Sequence, residues 1–272
     1  MRPRIALARA LIRLGGVGQS LALPVMRPRD LIELNRLHYS QPDTLELLSD
    51  DTYVCSGLSP RETSLLERIP VRQGRLLDLD AGAGREAIVL ARAGYDVTCI
   101  DFSPDLIEKT RANAARHGLR IEALAQEVTE LDLPAGSFDV AWLTSQMYSS
   151  IPGRAGRVRM LQGIAEVLKQ GGIFALQFRW HPPFSRTRVA DVARRAVAVL
   201  SAGYVRYQNG DQLLGNREFT HAFSSEAELQ TEFARGGFNV LDLRVDETMW
   251  CGWAILKKSA LTDPRRLASR PV

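Results

Sequence analysis

The sequence predicts a doubly wound α/β fold: a mostly parallel seven-stranded sheet with an antiparallel last strand, an N-terminal helical extension and an insertion after strand five. Three observations predict it. From residue 59 onward short apolar β-type runs alternate with helical runs, the order that right-handed crossovers and a parallel sheet require. A Gly-rich turn, Asp80-Ala81-Gly82-Ala83-Gly84, joins the first strand to the helix after it. The last two β-type runs have no helix between them, as in an antiparallel pair.

The elements follow in order. Over Ile5–Leu14 a helical wheel gathers Ile5, Leu7, Ala8, Leu11, Ile12 and Leu14 on one half and Arg2, Arg9 and Arg13 on the other, with only Arg4 out of place. Arg9 and Arg13 interrupt the apolar core that a secretory signal needs. Residues 2–14 are therefore a candidate for weak contact with a membrane surface, beside the plainer expectation of a helix docked on the body. Gly15, Gly16 and Gly18 end this piece, and Pro24, Pro28 and Pro42 predict a linker-like approach to the domain.

Ser59-Pro60-Arg61-Glu62 is a capping box with proline at the first helical position, opening a helix that ends near Ile69-Pro70. A strand over Arg75–Leu79, the Gly-rich turn and a helix over Arg85–Ala93 come next, stopped by Gly94. The strand Asp96–Ile100 ends at Asp101, and Ser103-Pro104 caps a helix to about Arg116, closed by Gly118. Strands over Ile121–Ala125 and Phe138–Leu143, a helix over Val158–Leu168, a Gly171-Gly172 turn and a strand over Ile173–Phe178 complete the alternation. Residues 179–217 break it with His181-Pro182-Pro183, a helical piece over Val189–Leu200 and a polar Gly/Asn stretch, which suits a substrate cap. Ser225-Glu226-Ala227-Glu228 caps a final helix ending at Gly236-Gly237, before strands over Phe238–Val245 and Trp250–Leu256.

Composition narrows the classes. With 272 residues, 45% of them hydrophobic, the chain can bury one large core. No apolar run reaches the roughly 20 residues of a spanning helix. Cys55, Cys99 and Cys251 form no C-x-x-C pair, so a reducing cytoplasm is expected rather than a disulfide framework. His38, His117, His181 and His221 are scattered, and no metal site is expected. Residues 1–30 carry a net +5 and residues 257–272 a net +4, which leaves the body at −5. An acidic body is a poor match for a nucleic-acid groove across the domain, so no nucleic-acid partner is expected. The excess of arginine over lysine is as readily the codon usage of a GC-rich, bacterial genome as a functional feature.

The chemistry begins at the turn. Gly82 and Gly84 let backbone approach a ligand closely, and Asp101 ends the next strand, where it can accept hydrogen bonds from both hydroxyls of a ribose. This pattern indicates an adenosine-type cofactor, and Gly82-x-Gly84-x-x-Ala87 by itself also fits a dinucleotide fingerprint. The wider context separates them. Leu76-Leu77-Asp78-Leu79-Asp80-Ala81-Gly82-Ala83-Gly84 resembles motif I of the class I S-adenosylmethionine-dependent methyltransferases, a Rossmann-like family. Val97–Pro104 is similar to that family's second motif, Gln126-Glu127-Val128 stands at its adenine acid, and Gly136–Trp142 resembles its fourth-strand motif. Ile164–Gly172 and Phe223–Phe238 continue the likeness, which covers about residues 59–256.

The resemblance implies a methyltransferase with S-adenosyl-L-methionine as cofactor, held by Asp78, Asp80, Ala81, Gly82, Gly84, Asp101, Phe102, Glu127, Val128 and Thr144. In that family Asp78 would serve the methionine end, Asp101 the ribose and Glu127 the adenine amino group. Two departures stand out: Asp80 replaces the usual glycine, and Glu127 the usual aspartate. On the acceptor side, Gln146, Tyr148 and Ser149 follow strand four, and Arg179, Trp180 and His181 follow strand five. His181 is the candidate general base and Tyr148 a candidate catalytic or wall residue, and His221, before the last helix, is a further candidate. The turn His181-Pro182-Pro183-Phe184 superficially matches the N-P-P-Y motif of amino-methylating DNA enzymes, but it follows the wrong strand. Trp250, Trp253 and Phe219 read as core before acceptor pocket.

The expected organisation is an N-terminal extension or lid over 1–58, a methyltransferase domain over 59–257 with its cap at 179–217, and a basic tail over 258–272. The expected activity is in-line methyl transfer to a small-molecule acceptor in a desolvated pocket by a cytoplasmic enzyme. The N-terminal segment makes a homodimer a candidate. The alternative is a non-catalytic scaffold or partner protein that keeps the fold with a degenerate cofactor site.

Overall fold

The computed structural model describes residues 2–182 and 188–260. The chain opens with five helices: α1 (Pro3–Arg13), α2 (Gly16–Val25), α3 (Pro28–Tyr39), α4 (Pro42–Ser49) and α5 (Asp51–Cys55). The body follows as α6 (Pro60–Arg68), β1 (Gly74–Leu79), α7 (Arg85–Arg92), β2 (Tyr95–Asp101), α8 (Pro104–Arg116), β3 (Ile121–Ala125), β4 (Phe138–Leu143), a 3₁₀ turn (Met147–Ser150), α9 (Arg154–Val167) and β5 (Leu168–Arg179). It ends with α10 (Arg188–Leu200), β6 (Asp211–Leu214), β7 (Glu218–His221), α11 (Glu226–Arg235), β8 (Phe238–Asp246) and β9 (Cys251–Lys258).

Seven strands make the sheet in the order β3-β2-β1-β4-β5-β9-β8. Every pairing from β3 to β5 is parallel, and β9 runs antiparallel to both neighbours. The doubly wound sheet with its antiparallel last strand is therefore the observed architecture. Strand order reverses between β1 and β4, the switch point where such sheets bind ligands beyond their carboxyl ends. The central strands are buried on both faces, which is why β4 reads as an almost unbroken apolar run, Phe-Asp-Val-Ala-Trp-Leu.

Three local readings are corrected. The expected linker before residue 59 is helical: Pro28 and Pro42 each occupy the first turn of a helix, where the missing N–H costs nothing, and Pro24 sits in the last turn of α2. The Gly171-Gly172 pair is not a turn before strand five but an irregularity inside it. There Gly171 takes φ +73 and the register against β4 jumps from Phe138↔Leu168 to Val140↔Ile173. The polar Gly/Asn stretch forms the β6–β7 hairpin, turned at Gly215 and Asn216, both with positive φ. Residues 183–187 of the expected cap and 261–272 of the expected tail lie outside the described residues.

The apolar stripe of α1 faces inward. Ile5 and Ala8 are buried in a cluster with Leu23, Met26, Leu31, Tyr204 and Phe219, and Leu11 and Ile12 pack against it. The helical extension and the hairpin thus share one core. Asn35 on α3 fixes them further: its amide donates to Ser150 O and Phe219 O, and its oxygen accepts from Phe219 N at 2.6 Å.

Candidate functional site

Strand β1 turns sharply at its end because Asp80 adopts φ +64, the left-handed region in which aspartate is tolerated better than most side chains. The backbone of the turn is then clamped from behind. Ala81 N donates to Ile100 O, the Thr110 hydroxyl donates to Gly82 O at 2.8 Å, and the Asn113 amide donates to Ala83 O at 2.9 Å. Gly84, at φ +92, starts α7, and a Cβ there would stand 3.1 Å from Thr110, so glycine is required for helix approach as well as conformation. A Cβ on Gly82 would meet nothing within 4 Å, since it points into open space. Thr110 and Asn113 carry no sequence signal of their role.

Asp101 closes β2. Its two oxygens accept from Gly82 N at 2.9 Å and Ser103 N at 2.8 Å. Two neighbouring cavities open at this end of the sheet. The first is lined by Gln126, Glu127 and Val128 after β3 and by Ile32, Asn35 and Arg36 of α3. The second is lined by the turn residues Ala81, Gly82 and Ala83, with Glu86, Ser145 and Tyr53. Tyr39, Asp80, Asp101, Phe102 and Met147 line both, so they stand at the junction.

Carboxylates dominate these walls. Asp78 is buried, and one of its carboxyl oxygens has no hydrogen-bond partner. Burial, reinforced by Glu86, pushes it well above the ordinary carboxylate range. Burial likewise raises Asp80, with Asp101 and Glu127 adding repulsion. It also raises Asp101 and Glu86. The cations nearby are engaged. Arg85 pairs with Glu62 and Glu86 at 2.8 and 2.5 Å, and Arg36 reaches Glu127 at 2.6 Å. Glu62 is drawn below the usual range despite its burial because Arg85 and the Ser59 cap donate to it.

Of the ten residues expected around a cofactor, Asp80, Ala81, Gly82, Asp101, Phe102, Glu127 and Val128 line the cavities. Gly84 shapes the turn from beneath. Asp78 lies behind it. Thr144 also lies behind, its hydroxyl donating to Glu86 together with the Trp142 indole. The expected catalytic residues are not brought to the cavities. Tyr148 is fully buried, and its hydroxyl donates to Glu232 at 2.9 Å inside a network with Arg157. His181 packs edge-on against Trp250, with ring centroids 4.0 Å apart. His221 is sealed against Asp211 at 2.7 Å. Phe219 is core, Trp253 is partly packed beneath Arg68, and Trp250 is half exposed. The residues that the sequence did not reveal come from the extension: Arg36 and Tyr39, whose hydroxyl donates to Glu218 at 2.9 Å.

A model of the family described as "Methyltransferase domain" matches residues 76–172. The chain is 31% identical over 180 residues to a ubiquinone biosynthesis O-methyltransferase of Xanthomonas axonopodis pv. citri, covering 63% of this chain and 70% of the relative. It is 30% identical over 112 residues to an uncharacterized methyltransferase of Synechocystis, covering 41% and 50%. Among solved structures, a methyltransferase of Methanosarcina mazei has the same fold with TM-score 0.58 at 21% identity, covering 75% of this chain and 99% of that one. So does the 1,6-didemethyltoxoflavin-N1-methyltransferase of Burkholderia thailandensis, determined with S-adenosylhomocysteine bound, at TM-score 0.58 and 19% identity, covering 85% and 90%.

Proposed function

The chain belongs to the class I S-adenosylmethionine-dependent methyltransferases, and from that premise we propose that it methylates a small-molecule acceptor at the junction of the two cavities. S-adenosylmethionine is the cofactor of the family, and the residues present fit it. The wall holds more buried carboxylate than its engaged arginines balance, and Asp78 keeps an oxygen without a partner. A cationic ligand favours the charged form of these carboxyl groups and gains attraction from it. In this assignment Asp78, Asp80, Ala81, Gly82 and the foot of α7 serve the methionine end, Asp101 the ribose, and Phe102, Glu127 and Val128 the adenine. When bound, the cofactor supplies an electrophilic methyl group and a neutral leaving thioether.

The single observation that carries the acceptor reading is the cover that α3 makes over the cavities. Asn35 ties it to the turn after β4 and to β7, and Arg36 ties it to Glu127. With Leu48 of α4 and Tyr53 of α5, α3 narrows the entrance over the junction, a cover that suits a small acceptor. A relative named for ubiquinone biosynthesis agrees with a small acceptor. At the junction Tyr39 presents a phenol that burial and Glu218 keep protonated well above its ordinary range. A hydroxyl acceptor can pass its proton to the Tyr39 oxygen as Tyr39 passes its own to Glu218, which replaces the imidazole base expected from the sequence.

Calorimetric titration of the full chain with S-adenosylmethionine, S-adenosylhomocysteine and NAD tests the assignment. Saturable binding of the first two alone supports it. Silence from both in folded, ligand-free protein moves the scaffold reading ahead.

A further inference from the structure

Asp80 is unusual on three independent counts. It holds a left-handed conformation that glycine would adopt without cost, so its side chain is retained against a mild backbone penalty. It lines both cavities and so stands at the junction where they meet. Asp101 stands beside it at the same junction, and the oxygens of Asp101 already accept from Gly82 N and Ser103 N. Burial raises both carboxyl groups, and the charge of Asp101 raises Asp80 further.

The charges facing Asp80 from every side are unequal. Asp78 comes from β1, Asp101 from β2, Glu86 from α7 and Glu127 from the loop after β3. Against them stand Arg85, shared by Glu62 and Glu86, and Arg36, bound to Glu127. Tyr39 faces Asp80 from α3 as a neutral phenol with its hydrogen bond to Glu218. No cation among the described residues is assigned to the Asp80–Asp101 pair, and the unpartnered oxygen of Asp78 lies behind it.

This proposal rests on the cofactor assignment above and deepens it. We propose that Asp80 is the residue by which the site distinguishes the charged cofactor from its uncharged product. S-adenosylmethionine and S-adenosylhomocysteine share the adenosine and the amino-acid end, and they differ by a methyl group and one positive charge. A carboxylate at the junction gains Coulomb attraction from the sulfonium and none from the thioether. A cation beside the pair also favours ionisation of both carboxyl groups, so the charged form releases more protons on binding. Once the methyl group has left, the pair reclaims a proton and the product is held less tightly. Product release is thereby driven by the charge lost in the reaction.

The test is calorimetric titration of the full chain with each ligand in two buffers of different ionisation enthalpy, which returns both affinity and protons exchanged. Asp80→Gly suits the left-handed backbone, and Asp80→Asn keeps the side-chain size without the charge, so both variants are expected to fold. For the wild-type chain, S-adenosylmethionine releases more protons than S-adenosylhomocysteine. In both variants the preference for the charged ligand falls about tenfold and the difference in proton release disappears. A preference unchanged within about twofold in both variants overturns the proposal. A preference lost in the glycine variant alone also overturns it, since the charge would then not be the cause. Failure of wild-type protein to bind either ligand is a different result, and it brings down the cofactor assignment itself.

Discussion

Replacing Glu232 by alanine should destabilise the fold far more than most single substitutions. Glu232 is fully buried and accepts from Arg157 Nε at 2.8 Å, Arg157 Nη2 at 2.6 Å, the Tyr148 hydroxyl at 2.9 Å and Arg154 Nε at 3.3 Å. Arg157 is equally buried, and its remaining partners, Gln208 Oε1 and Ile151 O, are neutral. The variant therefore strands a guanidinium in the core, a change worth about 3–5 kcal/mol. At roughly 2–4 °C per kcal/mol for a chain of this size, the melting midpoint falls by roughly 6–20 °C. Urea unfolding measures the free energy, and Arg157→Met combined with Glu232→Leu recovers most of the loss if the stranded charge is its cause. The pH dependence has a fixed sign. Burial pushes Glu232 up, but its bonds from Arg157 and Tyr148 hold it below the usual carboxylate range. Its contribution is complete above the unfolded value of about 4.3 and is lost as pH falls through the lower folded value. The alanine variant should lack that acid-sensitive component. A loss under about 1 kcal/mol would refute the reasoning and mean that water reaches Arg157.

Three further outcomes follow from the site. Asp101→Ala removes the acceptor for Gly82 N and Ser103 N and a proposed ribose ligand, so calorimetric affinity for S-adenosylmethionine should fall at least about tenfold; unchanged affinity removes Asp101 from the cofactor site. Tyr148→Phe deletes one buried hydrogen bond, with a cost of about 1 kcal/mol in urea unfolding and no change in cofactor Kd; unchanged stability would refute the structural role of the hydroxyl. Tyr39→Phe should leave cofactor Kd within about twofold while lowering kcat for phenolic acceptors by about 10²-fold, read by mass spectrometry of methylated product; an unaffected kcat removes Tyr39 from the proton route.

The parts of the site that were legible in the sequence are those made by contiguous residues. Asp80 to Gly84 must turn where the strand ends, and Asp101 must sit at the tip of the adjacent parallel strand, because register Leu79↔Ile100 follows from the crossover. A local motif therefore carries its own geometry. Arg36 and Tyr39 were invisible for the opposite reason. Their place over the cavities depends on Asn35 docking against Ser150 and Phe219, partners 115 and 184 residues away, and no local pattern encodes such a pairing. The His181 and Tyr148 assignments failed to reach the cavities through the same gap. Both follow strands whose ends lie near the site, but strand position does not fix side-chain direction. Tyr148 turns inward to the Arg157–Glu232 pair, which draws its hydroxyl into the core. The β6–β7 hairpin is an intermediate case, since Gly215-Asn216 is a recognisable turn signal, here set within a polar stretch.

The inward stripe of α1 bears on how α3 is held. Ile5, Ala8, Leu31 and Phe219 belong to one cluster, so α1, α3 and β7 share one packed core, and Asn35 and Tyr39 add hydrogen bonds to β7. The apolar face that suggested membrane contact is committed to that cluster, and among residues 2–14 only Leu7 and Leu14 remain as large exposed apolar side chains. Polar ties from α3 to the body include Arg36 to Glu127 and Asn35 to Ser150. In the proposed assignment Glu127 serves both Arg36 and the adenine, so a bound cofactor competes with Arg36 for that carboxylate.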